Sequence, residues 1–315
     1  MTKILVFRNS NLGDYFISVP ILRIIREKFP NCHITYMTIQ NKKKFILPKK
    51  IENKLIVNHF FTYKNKNYKK INGIIHLLKK IRNNKFDKII YLQQYSNIYR
   101  LVRDYCFFSI CSIGNKIGFS FFFKNRNYQK DSETILLAKR VFNNLSKQKI
   151  QKKIQFDFLN KKKIFKKKYI TISTGSVSSP KKWNDDNWIR LVDLIRKDFK
   201  NLYIVLTGTN NELKLSKKIQ KICKEKILNY SGKTSLLTLF NIIKFSNLHI
   251  CQDSGSMHIA SFYQKKNVCI FNNHDPYGKW FPLNKNAKLY RLKGDINTIS
   301  PNLVYLGVKN FLNSK

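Results

Sequence analysis

One local pattern recurs along the chain: a short apolar run, a polar loop, then apolar residues at three- and four-residue steps. Lys3 to Phe7 is the first such run, and Arg8-Asn9-Ser10-Asn11-Leu12-Gly13-Asp14 is its loop. From Tyr15 onward Ile17, Ile21, Leu22, Ile24 and Ile25 mark a helix that Pro30-Asn31 stops. His33 to Met37 reads as the next strand. A strand–helix–strand unit of this kind closes as parallel strands with a right-handed crossover, and its ligand loop lies at the strand's carboxyl end.

The alternation continues with a strand over Leu55 to Phe61, a helix over Ile71 to Asn83 and a strand over Lys88 to Leu92. Tyr99 to Ser112 reads as an apolar, aromatic, buried helix, followed by a strand at Lys116 to Phe119 and a helix over Asp131 to Leu145. Residues 146–168 are strongly basic and form the candidate linker. The pattern then restarts with strands at Tyr169 to Ser173, Leu202 to Leu206, Ile227 to Tyr230, Leu248 to Cys251, Asn267 to Phe271 and Leu289 to Leu292. Helices fall between them, at Trp188 to about Lys197, Leu213 to Cys223 and Leu236 to Phe245, and Pro301 opens a last one. The expected architecture is α/β: two doubly wound, Rossmann-like domains, residues 1–160 and 161–315, facing across a cleft. The terminal helix is a candidate to pack back on the first domain.

At 315 residues, with 43% apolar and 14% aromatic side chains, the chain can build real cores. No apolar run reaches the roughly 18–20 residues that span a bilayer. The apolar start breaks at Arg8, too early for a secretion signal. These features suggest a cytoplasmic protein. Six cysteines occur, with no C-x-x-C pair, so buried free thiols are expected rather than zinc or disulfides. The formal net charge of +44 raises nucleic acid or an anionic membrane as partners. Lysine dominates that charge, in a chain also rich in Asn, Ile, Phe and Tyr, which fits compositional bias spread over solvated faces. Phe121-Phe122-Phe123, beside Lys124 and Arg126, reads either as core packing or as a membrane-interface cluster.

Gln252 to Ala260 is the most informative loop. Asp253, Ser254, Gly255 and Ser256 lie between an apolar strand and a helix-like run from Ile259 to Tyr263. The free N–H groups of a helix's first turn bind anions, and glycine lets a ligand approach the backbone. The bland alternative is that Asp253 or Ser254 is only a helix cap.

Four blocks carry a family resemblance: Ile4 to Arg8 with Leu12-Gly13-Asp14, Pro20 and Leu22; Gly175 through Lys181-Lys182-Trp183; Gly232-Lys233-Thr234-Ser235-Leu236; and Asp253 to Ala260. Together they resemble glycosyltransferase family 9, the ADP-heptose:lipopolysaccharide heptosyltransferases. The resemblance implies a GT-B fold, an acceptor-binding first half and a nucleotide-sugar-binding second half, with neither metal nor cofactor. The chain carries no D-x-D carboxylate pair of the kind a metal-bridged diphosphate wants.

By the same resemblance Asp14 is the general base that takes the acceptor hydroxyl's proton, against a plain helix cap. Lys181 stabilises the departing diphosphate, and Ser176 donates to a phosphate oxygen. Backbone N–H groups of Ser254, Gly255, Ser256 and Met257 cradle the diphosphate, and Asp253 holds donor-sugar hydroxyls. His258 is either a phosphate contact or helix packing. Glu212 is either a ribose or base ligand or a first-turn helix acid.

Three departures stand out. Ser173-Thr174 replaces the family's His-Pro before Gly175. Asn272 replaces a glycine after the last core strand. Ser254 and Ser256 replace Thr and Pro. The expected activity is transfer of a sugar, a heptose for preference, from ADP-heptose or a related donor. Its acceptor is an anionic lipid-linked glycan at the inner membrane. Two alternatives remain open: another nucleotide-sugar enzyme such as an epimerase, and a basic nucleic-acid-binding protein. The second lacks any recognisable binding motif, so no specific nucleic acid is expected.

Overall fold

The computed structural model describes residues 1–9, 12–39, 56–63, 70–94, 97–119, 131–142, 146, 150, 163–176 and 182–314. Lys181 and the Phe121–Phe123 cluster lie outside them. The chain divides into two compact units, Met1–Lys153 and Ile154–Lys315.

The first unit holds β1 (Lys3–Phe7), α1 (Leu12–Lys28), β2 (His33–Ile39), β3 (His59–Tyr63), α2 (Ile71–Asn83), β4 (Lys88–Tyr91), α3 (Ile98–Ile110), β5 (Asn115–Ile117) and α4 (Glu133–Val141). Its strands are all parallel, in the order β3-β2-β1-β4-β5. The register sets the faces. Leu5 stands opposite Ile89, and Phe7 opposite both Tyr91 and Met37. These residues form one core with Leu77 and Ile81 of α2 and Leu101 and Phe108 of α3. Side chains alternate along a strand, so Val6 and Tyr36 face the other way, where the Tyr15 ring of α1 packs edge-on against Tyr36 at 5.3 Å. Helices thus cover both faces of the sheet, as an all-parallel sheet requires.

The second unit holds β6 (Tyr169–Ser173), α5 (Asp185–Asp198), β7 (Tyr203–Thr207), α6 (Leu213–Cys223), β8 (Ile227–Asn229), α7 (Leu236–Lys244), β9 (His249–Gln252), α8 (Gly255–Phe262), β10 (Asn267–Ile270), β11 (Ala287–Tyr290) and α9 (Pro301–Asn313). Its parallel sheet runs β11-β10-β9-β6-β7-β8. Trp183, Trp188, Leu191 and Ile195 pack with Ile170, Ile172, Ile250, Val304 and Val308 into its main core. Burying each such aliphatic side chain contributes about 1.5–3 kcal/mol. Asn184 caps α5 by accepting from the Asn187 N–H, and α9 lies along α5 within this unit.

Two expectations need correction. Helices α1 and α8 begin at Leu12 and Gly255, not at Tyr15 and Ile259. Asp14 therefore sits inside the first turn rather than at a cap, and Gly255 to His258 are helical. The α3 segment is not buried all round. It buries Leu101, Asp104 and Phe108, while Tyr99 is 82% exposed. Among the described residues no helix is long and apolar enough to cross a membrane.

Candidate active site

In a doubly wound sheet, ligands bind outside the carboxyl ends of the strands where the strand order reverses. In the second unit that point lies between β6 and β9, the first strand of the unit and its out-of-sequence neighbour. Since β9, β6 and β7 are adjacent, the segments that leave them lie side by side: Asp253–Met257, Thr174–Ser176 and Gly208–Glu212.

The middle segment carries polar groups that the fold leaves unsatisfied. Oγ of Ser176 and Oγ1 of Thr174 are shielded from solvent and have no hydrogen-bond partner among the described residues, an arrangement that costs about 1–3 kcal/mol for each unpaired group. Beside them Glu212 fills the gap between two strand ends. A methyl group on Gly175 would lie 2.8 Å from the Glu212 Cδ, and one on Gly208 would lie 3.0 Å from its Cβ. A side chain at residue 175 would push this carboxylate aside, and one at residue 208 would crowd its stem. The backbone N–H and hydroxyl of Thr209 donate to Glu212 Oε2, each at 2.7 Å, closing a capping box. Glu212 is thus a first-turn acid that also points Oε1 toward the Gly175 backbone.

On β9's side, Ser254 stands at the N-cap of α8 but makes no side-chain cap. Its Oγ lies 3.0 Å from Ser256 Oγ, and Ser256 Oγ lies 3.1 Å from Nε2 of His249. The other ring nitrogen of His249 contacts Thr171 Oγ1 at 2.8 Å. The N–H groups opening α8 are left without a side-chain cap, at the positive end of the helix dipole. The Met257 side chain is fully buried with Cys251, Cys269 and Phe271, so only its backbone faces the turn. His258 is half-buried one turn along α8, and Asp253 is half-buried. Asp253 borders a small hollow with Asn272, Asp275, Trp280 and Arg291.

Loop 182–184 is pinned from three directions. Gln252, fully buried, accepts from the Trp183 N–H and donates to the Thr174 carbonyl. The Trp183 indole donates to the Ile299 carbonyl at 2.9 Å, and the Asn184 N–H donates to Asn297 Oδ1 at 2.8 Å. Lys182 borders an open hollow of about 610 Å³ with Asn273, His274, Asp295 and Asn297. The Asn272 side chain is spent on its own loop, accepting from the His274 N–H at 2.8 Å.

In the first unit the order reverses between β1 and β4. Arg8, 1% exposed, spans that point: it donates to the Leu92 carbonyl at 2.7 Å and to Asp14 Oδ1 at 3.1 Å. Asp14 keeps 23% of its side-chain surface exposed. A buried guanidinium therefore aims a solvent-reachable carboxylate at the strand ends. Among the described residues no three His, Cys, Asp or Glu side chains gather as a metal site.

The structure brings Ser176, Glu212, Asp253, Ser254, Gly255, Ser256 and Met257 to three adjacent strand ends, and holds Asp14 at the other unit's reversal point. Reading the sequence missed the supports: Arg8 as a holder of Asp14, His249 behind Ser256, and Gln252 between two loops. The available signal was a polar residue inside or ending an otherwise apolar strand.

A sequence profile described as glycosyltransferase family 9 (heptosyltransferase) matches residues 74–299. The lipopolysaccharide core heptosyltransferase OpsX of Haemophilus influenzae is 22% identical over 293 residues, covering 86% of this chain and 79% of that protein. A family 9 glycosyltransferase from Veillonella parvula superposes with a TM-score of 0.75 at 16% identity, covering 99% and 97% of the two chains. The E. coli heptosyltransferase WaaC, solved with ADP, gives 0.72 at 13% identity over 98% and 100%. These likenesses share the GT-B fold. The chain belongs to glycosyltransferase family 9, the heptosyltransferases.

Proposed function

We propose that the enzyme transfers a heptose from ADP-heptose to a lipopolysaccharide-core or similar lipid-linked glycan, with inversion and without a metal, at the cytoplasmic face of the inner membrane. The first unit binds the acceptor and the second the donor, with the boundary near residue 160. The reading is supported most by the solvent-shielded, unpartnered hydroxyls of Thr174 and Ser176 beside the uncapped start of α8. Neutral donors and a helix dipole suit a diphosphate, and Glu212 Oε1 suits a ribose diol. The solved complex of WaaC with ADP points to the same nucleotide.

In this mechanism Asp14 accepts the proton as the acceptor oxygen attacks the anomeric carbon from the face opposite the leaving group. The bond to the diphosphate breaks, and its charge is received by the α8 N–H groups, Ser176 and Lys181. Asp253 holds donor hydroxyls, and His258 adds a contact from the turn below.

The test is a thermal-shift series with ADP, GDP and UDP, followed by mass analysis of transfer from ADP-heptose in the presence of chelator. ADP should raise the midpoint most, because a ligand bound only by the folded form stabilises it by mass action. Asp14→Asn should lower turnover by about 10²–10⁴-fold with ADP affinity unchanged. Equal shifts with all three nucleotides, or near-normal turnover of that variant, overturns the reading.

A further inference from the structure

Helices α2 and α3 both pack their inner faces into the same core of the first unit, so they lie on one side of its sheet. Their outer faces are unusual. On α3 the exposed residues include Ile98, Tyr99, Val102, Tyr105, Cys106 and Ile110. At about 100° per residue these fall within an arc of roughly 140°, a mostly apolar stripe interrupted by the exposed Ser109. On α2, Ile71, Ile74 and Ile75 are exposed in the first two turns, with Ile71 at 74%. Lys79, Lys80 and Arg82 follow, also exposed. Neither helix exposes an acid. The one acid in these helices, Asp104, is buried and paired with Arg103 at 2.6 Å. An apolar stripe that large on a soluble surface marks an interaction site, and an apolar face bordered by Lys and Arg is the pattern of a helix lying in a bilayer interface.

We infer that the outer faces of α2 and α3 form a docking surface for an anionic lipid bilayer. The apolar side chains enter the headgroup–acyl boundary, and Lys79 and Arg82 meet acidic headgroups. Charge selects this occupant over a second copy of the chain. Two copies pairing through this surface would set basic edge against basic edge, in a protein of formal charge +44. The inference rests on the proposed lipid-linked acceptor for its purpose; its chemistry rests on the surface alone.

The test uses the full chain with vesicles of phosphatidylethanolamine and phosphatidylglycerol, and with phosphatidylcholine vesicles as the uncharged comparison. Sedimentation should show binding to the anionic vesicles that weakens as salt is raised. Tyr99→Glu with Val102→Glu should abolish it. Lys79→Gln and Arg82→Gln should each weaken it about fivefold, the effect of one cation of about 1 kcal/mol near acidic lipid. Anionic vesicles should also shield the Cys106 thiol from a water-soluble maleimide.

ADP-induced thermal shift and transfer to a delipidated acceptor should be unchanged in all these variants, which separates this inference from the catalytic reading. Vesicle binding that survives Tyr99→Glu with Val102→Glu, or an absence of vesicle binding, overturns it. So does a concentration-dependent dimer that the same substitutions dissolve, because a second copy would then be the occupant.

Discussion

Glu212 shows how one side chain is fixed by atoms its neighbours lack. Its carboxylate occupies space that any Cβ at residue 175 would claim, and its stem crowds residue 208. Gly175→Ala should therefore displace the Glu212 carboxylate, the end of a flexible side chain, at a cost near the lower end of the usual range of about 1–3 kcal/mol in denaturant unfolding, and should weaken ADP binding. Adding Glu212→Ala should return most of the lost stability but not the nucleotide affinity. The pair forms a double-mutant cycle whose coupling measures the contact. Zero coupling would mean that Gly175 is needed for another reason. Neither glycine explains itself in the sequence, because its partner lies 37 or 4 positions away and the clash appears only in the folded unit. The same applies to Gln252, whose partners Thr174 and Trp183 are remote in the chain, and in part to Arg8 and His249, which join a remote residue, Leu92 or Thr171, to a near one, Asp14 or Ser256. Ser235, in contrast, does the plain work of a cap, accepting from the Thr238 N–H at 3.1 Å.

Elements are legible in the sequence wherever apolar periodicity is long and bounded. The helices at Ile71–Asn83 and Leu213–Cys223 and the strand at Tyr169–Ser173 have the limits their patterns suggest. The starts of α1 and α8 were not legible, because Leu12-Gly13-Asp14 and Gly255-Ser256 carry loop chemistry and no apolar period into a helical first turn. The exposed face of α3 is not legible in the sequence, because an apolar stripe looks the same whether it is buried or exposed. At this scale α9 gives a pH prediction. Asp198 of α5 accepts from Lys309 at 2.7 Å and from Tyr305. Its carboxyl is held below its ordinary value, chiefly by the Lys309 hydrogen bond and then by Tyr305. A depressed folded value means the contribution is full above the ordinary carboxylate range and is lost as pH falls through the depressed value. Asp198→Asn should therefore flatten the acid limb of the stability profile, with little change in its shape near neutrality. An unchanged acid limb would assign the contact no role in docking α9.

Across the whole molecule, the two parallel sheets follow from alternation alone, whereas the partners for 61 Lys and Arg against 17 Asp and Glu do not. Charge counts carry no position; only the folded surface separates the bordered stripe on α2 and α3 from lysines spread over turns. The thiols are a clearer case. Cys32, Cys111, Cys251 and Cys269 are buried, and Cys106 is exposed. Burial pushes the Cys269 thiol well above its ordinary value and raises Cys111 to about 12, so neither offers thiolate at neutral pH. A thiol reagent should label Cys106 promptly, Cys223 slowly and the other four only after unfolding; early labelling of Cys251 or Cys269 would mean that the β9–β10 region opens locally. The position of β9 beside β6 has a last consequence. Strand side chains alternate by twos, so one residue inserted between His249 and Gln252 would swing Gln252 off both of its loops and withdraw His249 from Ser256. The span from His249 to Gln252 therefore admits exchange of side chains but resists a change of length.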